Sequence, residues 1–133
     1  MITIDLNGKE VNWKPHARKR QQTSQLHANV REFLHSAYPT VAFIEEVGIP
    51  VRRGQTLYLD FFSPLLNLAV EAHGEQHYKF VQHFHGSRMN WARHRRRDAE
   101  KKEWCENNNI TIIELPFDET NEQWLNRINS LNE

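Results

Sequence analysis

Two short apolar runs, at residues 56–62 and 65–73, each carry a carboxylate at or near one end: Asp60 in Tyr58-Leu59-Asp60-Phe61, and Glu71 in Ala69-Val70-Glu71-Ala72-His73. Runs of that length with turn residues between them read as neighbouring strands. A buried carboxylate is costly unless it is paired or bound to a metal. Two of them on adjacent strands therefore call for a shared partner, and a divalent cation satisfies both at once. The chain continues through Gly74-Glu75-Gln76-His77-Tyr78, which adds a second imidazole beside His73.

The rest of the chain reads as the frame for those two strands. Ile2, Ile4 and Leu6 alternate with polar residues, Asn7-Gly8 follows, and Val11 and Trp13 alternate again, which predicts a hairpin with positive φ at both turn residues. The segment 14–20 is basic and non-periodic, a solvated linker or an arm that contacts DNA. Thr23-Ser24 is a helix N-cap pattern; Leu26, Val30, Phe33 and Leu34 repeat at helical spacing, and Tyr38-Pro39 ends the helix. A strand is predicted over 41–47, with Glu45 and Glu46 near its end, and a turn over 50–55. No clear period exists between Tyr78 and Gly86. A long helix is predicted over 87–107, with Met89, Ala92, Ala99 and Trp104 as its apolar contacts. A strand over 110–115 follows, then a closing helix marked by Trp124, Ile128 and Leu131. The order is a hairpin, then αβββαβ, then a helix, in one domain: residues 1–20 form the hairpin and basic arm, 21–133 the core.

Asp60 and Glu71 converge if their strands pair as a hairpin. Carboxylate oxygens suit Mg²⁺, with Mn²⁺ as a substitute, and such an ion stabilises charge on a phosphate and acidifies an attacking water. His73, two residues after Glu71, leaves the same strand face and is placed to act as acid or base near neutral pH. Gln76 is placed to orient water or phosphate, and His77 is a second proton carrier. On the long helix, Arg88, Arg93, Arg95, Arg96, Arg97, Lys101 and Lys102 face only Asp98, Glu100 and Glu103 between positions 88 and 103. That bias suits a phosphate backbone, since Arg and Lys neutralise phosphates and release counterions. Asp98, four residues after His94, pairs with Lys102 or points at the site. The chain as a whole has 17 basic and 17 acidic residues, which argues against a binder that works by bulk charge. The single cysteine, Cys105, excludes an intrachain disulfide and a Cys-rich zinc site. With no apolar stretch of about 18 residues and no signal-peptide pattern, a soluble cytoplasmic protein is expected.

At these residues the chain resembles the PD-(D/E)xK nuclease superfamily, whose restriction-endonuclease-like αβββαβ core carries an Asp on its second strand and an acid, any residue and a Lys on its third. Asp60 and Glu71-Ala72-His73 match, with His73 where the Lys would stand. Val70-Glu71-Ala72-His73-Gly74-Glu75-Gln76-His77, followed by Arg97-Asp98, is similar to the very short patch repair endonucleases and the EDxHD homing endonucleases, often carried by phages and mobile introns. The resemblance implies a mixed sheet and a Mg²⁺-dependent DNA endonuclease in which a histidine near the strand end activates water and Asp98 supports it. It implies a bacterial host cell if the gene is phage-borne. The upstream Glu of EDxHD has no match on the first helix, where Gln25 and His27 stand; Glu45, Glu46 or Glu32 is left to take its place. So small a chain covers little DNA, which favours a homodimer, a structure-selective enzyme or a nicking enzyme. Two other readings remain: a DNA-binding module that kept the fold and lost the chemistry, and a transition-metal protein using His73, His77, His83 and His85.

Overall fold

A computed structural model describes residues 1–18 and 24–131, the side chain of His83 excepted. Four strands form one sheet in the order β3-β4-β5-β6: β3 (Ile44–Arg52), β4 (Gln55–Ser63), β5 (Leu68–His73) and β6 (Thr111–Pro116). The first three run antiparallel and β6 lies parallel to β5, so the sheet is mixed. A separate hairpin, β1 (Ile2–Ile4) with β2 (Glu10–Asn12), precedes it. Helix α1 (Gln25–Ala37) leads into the sheet, α2 (Gln82–His85) and α3 (Arg88–Asn107) cross from β5 to β6, and α4 (Asn121–Ser130) closes the chain. This is the expected αβββαβ core with its N-terminal hairpin and C-terminal helix. Among the described residues, no helix is long and apolar enough to cross a membrane.

Each sheet face buries its own cluster. On one face Val47, Ile49, Leu57, Leu59, Phe62 and Ala69 pack against Trp104 and Cys105 of α3 and Trp13 of the N-terminal segment. On the other, Phe61, Val70, Ile113 and Leu115 pack against Val30, Phe33 and Leu34 of α1 and Trp124 and Ile128 of α4. Burial of such side chains stabilises by about 1.5–3 kcal/mol each. The helices start where capping side chains fix them: the Ser24 hydroxyl accepts from the His27 amide, Ser87 from Asn90, and Thr120 with Gln123 forms a capping box.

Several boundaries differ from the sequence reading, each for a local reason. The residues expected to turn at 50–55 are mostly strand, and the turn tightens to Arg53-Gly54, with Gly54 at φ +78°. Pro50 is tolerated because β3 is an edge strand, where a missing N–H costs no ladder bond. In the first hairpin only Gly8 takes positive φ; Asp5 Oδ1 accepts from the amides of Asn7 and Lys9 and holds the loop as an Asx turn. Of the four apolar contacts expected on α3, Trp104 is buried, whereas Met89 is 67% exposed and Ala92 and Ala99 face solvent. Leu131 is likewise exposed. The basic segment is pinned at its described end: Ala17 bridges to Val47, and the Arg18 amide donates to the Glu46 carbonyl. Lys19, Arg20 and Thr23 lie outside the described residues.

Candidate active site

The antiparallel ladder between β4 and β5 stops at Phe61 and Val70, so the next residues out, Asp60 and Glu71, face each other. There the side chains replace the ladder. Asp60 Oδ2 accepts from the Ala72 amide at 2.8 Å, and Glu71 Oε2 accepts from the Asp60 amide at 2.7 Å. The same row extends to β3, where the pairs Glu45–Phe61 and Val47–Leu59 set Glu46 opposite Asp60.

The alternation of β4 slips at this level. Leu59 and Phe62 pack on the α3 face while Phe61, between them, packs on the α1 face. β3 slips beside it: Val47 faces α3, Glu45 reaches α1, and Glu46 takes φ +53°. Positive φ at a non-glycine residue costs of order 1 kcal/mol and persists where surrounding contacts enforce it. The slip gathers Glu46, Asp60 and Glu71 from three strands. Burial, then the charges of Glu71 and Glu46, push the Asp60 carboxyl well above its ordinary range, against the pull of Lys101 and the Ala72 amide. A row of oxygen donors with more carboxylates than cations beside it is a donor set that fits a hard dication.

Lys101 enters this row from α3. Its Nζ lies 2.9 Å from Glu71 Oε1, with 17% of the lysine side chain and 3% of the glutamate exposed. Burial disfavours the Lys101 ammonium, but Glu71 and Asp60 outweigh that and raise its pKa. Read from sequence as part of the basic face, Lys101 instead serves as the buried counter-charge of Glu71. Spacing carried the signal: His94, Asp98, Lys101 and Cys105 recur at helical intervals, and Cys105 is core.

His77, on the single 3₁₀ turn Glu75–His77, places Nδ1 2.8 Å from Asp98 Oδ2. Burial pushes the Asp98 carboxyl up; the hydrogen bond and charge of His77, with His73 and Lys101, more than offset it and hold Asp98 below its usual value. His73 is buried and stacks on His77, ring centroids 4.1 Å apart and planes 7° from parallel. Its Nδ1 lies 3.4 Å from Glu114, which also binds Lys102. The His73 hydrogen bond, against burial and with help from Lys102, draws Glu114 down to about 2. Gln76 folds back over Gly74, its Oε1 2.5 Å from where a Cβ would stand.

Asp60, His77, Asp98, Arg97 and Lys101 line one open cavity of about 540 Å³, with Glu46 at its wall. Glu71 joins it through Lys101 and Asp60, His73 through His77. His94 also lines the cavity; burial, then His85 and Arg97, lowers its pKa. The histidines read together as a transition-metal set divide: His73 and His77 stack beside Asp98, whereas His85 packs among Phe80, Trp91 and His94, and the side chain of His83 lies outside those described. Arg88, Arg93, Arg95, Arg96 and Arg97 are exposed along α3, Arg88 over the Phe80 ring and Arg95 over Trp91.

The comparisons place viral proteins beside this chain. Protein 307L of Invertebrate iridescent virus 6 is 42% identical over 72 residues, which is 51% of this chain and 36% of that protein. Protein 033L of Invertebrate iridescent virus 3 is 36% identical over 64 residues, 48% of this chain and 33% of its own. Protein 094L of Frog virus 3 is 38% identical over 65 residues, 48% of this chain and 42% of its own. The chain thus spans roughly a third to two fifths of the length of these curated relatives, all three described as uncharacterized. No family model and no solved structure matches.

Proposed function

We propose that this chain is a metal-dependent DNA endonuclease, a hydrolase of phosphodiester bonds akin in its site to the PD-(D/E)xK nucleases. The observation that carries the reading is the meeting of two elements at one cavity: Asp60, backed by the cross-strand carboxylate of Glu71, and the His77–Asp98 pair at 2.8 Å. Asp60 and Glu71 would hold Mg²⁺ or Mn²⁺; such an ion, when bound, supplies charge stabilisation to the scissile phosphate and lowers the pKa of a water.

The chain's own groups divide the rest of the work. Asp98 takes the Nδ1 proton of His77 as a hydrogen bond, which leaves Nε2 as the acceptor for a proton from water. His73 stacks behind His77 and fixes the plane of its ring. Lys101 sets a cation beside the place of the phosphate and fills the role of the lysine that His73 displaces from the strand motif. The exposed arginines of α3 bind the DNA backbone on either side. A homodimer would double that contact. The viral origin of the relatives fits a virus-borne enzyme.

The test is supercoiled plasmid with and without Mg²⁺ or Mn²⁺, alongside Asp60→Ala and His77→Ala. Nicked or linear product from the parent protein alone supports the reading. Cleavage that persists in both variants, or that needs no metal, overturns it.

A further inference from the structure

We infer that the metal site extends past Asp60 to Glu46 and to an imidazole, His27 of α1, and that this nitrogen donor makes it a site for a first-row transition dication, Mn²⁺ in preference to Mg²⁺. This rests on the reading of Asp60 as a metal ligand, and adds to it two ligands and a preference. One ligand atom each from His27, Glu46 and Asp60 lies within 4.8 Å of the other two. All three come from different elements, so the convergence is tertiary and not an accident of one strand.

Three features support this ligand set, two of them at His27. His27 is 1% exposed, and its ring stacks on Phe61 at 4.4 Å, the residue that the slip in β4 turns toward α1. Its Nε2 lies 2.8 Å from Glu45 Oε1. Glu45 is itself gripped by both arms of Arg31, at 2.8 and 2.7 Å; that hydrogen bond first, against burial and with His27, holds its carboxyl below the usual range. An ionised Glu45 would take the Nε2 proton as a hydrogen bond, which assigns the ligand role to Nδ1. Metal-bound histidines characteristically hand their other N–H to a carboxylate in this way. The third feature is the backbone of Glu46, whose φ of +53° departs from strand geometry where its carboxylate joins the cluster.

The donor chemistry sets the preference. Mg²⁺ favours an all-oxygen shell and keeps its waters, whereas imidazole beside carboxylates suits first-row transition metals. Arg18, 2.9 Å from Glu46 Oε2 and stacked over Tyr58, closes the outer side of the site.

The experiment is a Mn²⁺ titration of the full chain followed by electron paramagnetic resonance, with Mg²⁺ as competitor and no DNA present. One Mn²⁺ should bind, with Mg²⁺ displacing it only at about tenfold excess or more. Glu46→Gln and Asp60→Asn should each weaken Mn²⁺ by about tenfold or more, and Glu45→Gln by a similar factor through the orientation of His27. His27→Asn, which offers an amide oxygen near the place of Nδ1, should keep a site but lose most of the Mn²⁺ over Mg²⁺ preference. In the unaltered protein, Mn²⁺ should broaden the His27 ring resonances before those of the surface histidine His35, a readout that survives if a variant fails to fold. Equal affinity for the two ions, an unchanged preference in a folded His27→Asn, or His27 resonances untouched at saturation would overturn the inference. DNA cleavage alongside any of those results leaves the nuclease reading standing; Mn²⁺ bound as described without cleavage removes the nuclease reading alone.

Discussion

Asp60 and Glu71 each satisfy a backbone amide of the other's strand, so the two carboxylates take over the ladder where β4 and β5 part. The arrangement gathers like charges, and its cost falls on Asp60, whose carboxyl burial and Glu71 push well above the ordinary 3.8. A carboxyl with a raised folded pKa binds its proton more tightly folded than unfolded. Its contribution is therefore fully present below the unfolded value and is lost as pH rises through the folded one. At neutral pH without metal, Asp60 destabilises. Asp60→Asn keeps an oxygen for the Ala72 amide and removes the charge. It should raise stability at pH 7.5 by about 1 kcal/mol, about 4 °C in Tm, with the gap closing toward pH 4, while abolishing cleavage. Thermal melts in chelator at the two pH values check this; a variant less stable than the parent at pH 7.5 contradicts it.

The Lys101–Glu71 pair predicts an asymmetry between neighbouring lysines. Lys101→Met leaves Glu71 buried with no counter-charge and should cost about 3 kcal/mol. Lys102 pairs with Glu114 from a half-exposed position, so Lys102→Met should cost under about 1 kcal/mol. The double change Lys101→Met with Glu71→Gln should recover most of the loss, since removing both partners avoids the unpaired charge. Urea unfolding of the three proteins reads the difference directly.

How far the sequence disclosed this arrangement depends on the range of the interaction. The element order, the Ser24 cap and the pairing of Asp60 with Glu71 follow from local patterns: apolar runs, a cap residue, and a hairpin that sets the register. The inward turn of Lys101 was hidden because charge pattern suggested a solvated face while the stripe ending at Cys105 pointed inward. From sequence, Glu46 is one of three acids left open for the upstream Glu, and His27 is only a non-acidic residue at that place, for a different reason. Their approach to Asp60 depends on matched slips in β3 and β4, and nothing in Ile44-Glu45-Glu46-Val47 announces a positive φ. Pro50 looked like a turn because the edge position of β3 is a property of the sheet, not of the segment.

If His77 takes the proton from water and Asp98 orients its ring, the two should differ in severity. His77→Ala should lower kcat by about 10²–10⁴. Asp98→Asn keeps the size of the side chain and weakens the tautomer preference, and should lower kcat by about 10² with KM little changed. His73→Phe keeps an aromatic ring against His77 and should retain more activity than His77→Ala. Single-turnover cleavage at saturating Mn²⁺ measures all three; equal loss in His73→Phe and His77→Ala would make His73 a direct participant.

Glu114 provides a pH dependence of opposite sign to that of Asp60. Its pKa falls from 4.5 to about 2, through the His73 hydrogen bond and Lys102. A lowered carboxyl contributes stability above its unfolded value and loses it as pH drops through the folded one. Glu114→Gln should cost about 1 kcal/mol at pH 7, and the difference from the parent should vanish between pH 4.5 and about 2. Urea midpoints at pH 7, 4 and 3 follow the closure.

The arginines of α3 predict a salt signature that separates backbone contact from chemistry. Arg93 and Arg96 are exposed, and neither lines the cavity that holds Asp60 and His77. Each phosphate contact they make releases a counterion, so each Arg→Ala change should flatten the slope of log K against log salt by about 0.9 for duplex DNA. Affinity should fall alike for all sequences, because phosphate contacts position the protein and do not read bases. Arg97 lines the cavity and should behave differently: Arg97→Ala should reduce cleavage at saturating DNA as well as binding. Fluorescence anisotropy across a salt series, run in Ca²⁺ to hold DNA uncut, gives the slopes. Unchanged slopes for Arg93→Ala and Arg96→Ala would move the DNA path off this helix, and the cavity would then have to be approached along the β3 edge, where Arg18 stands over Tyr58.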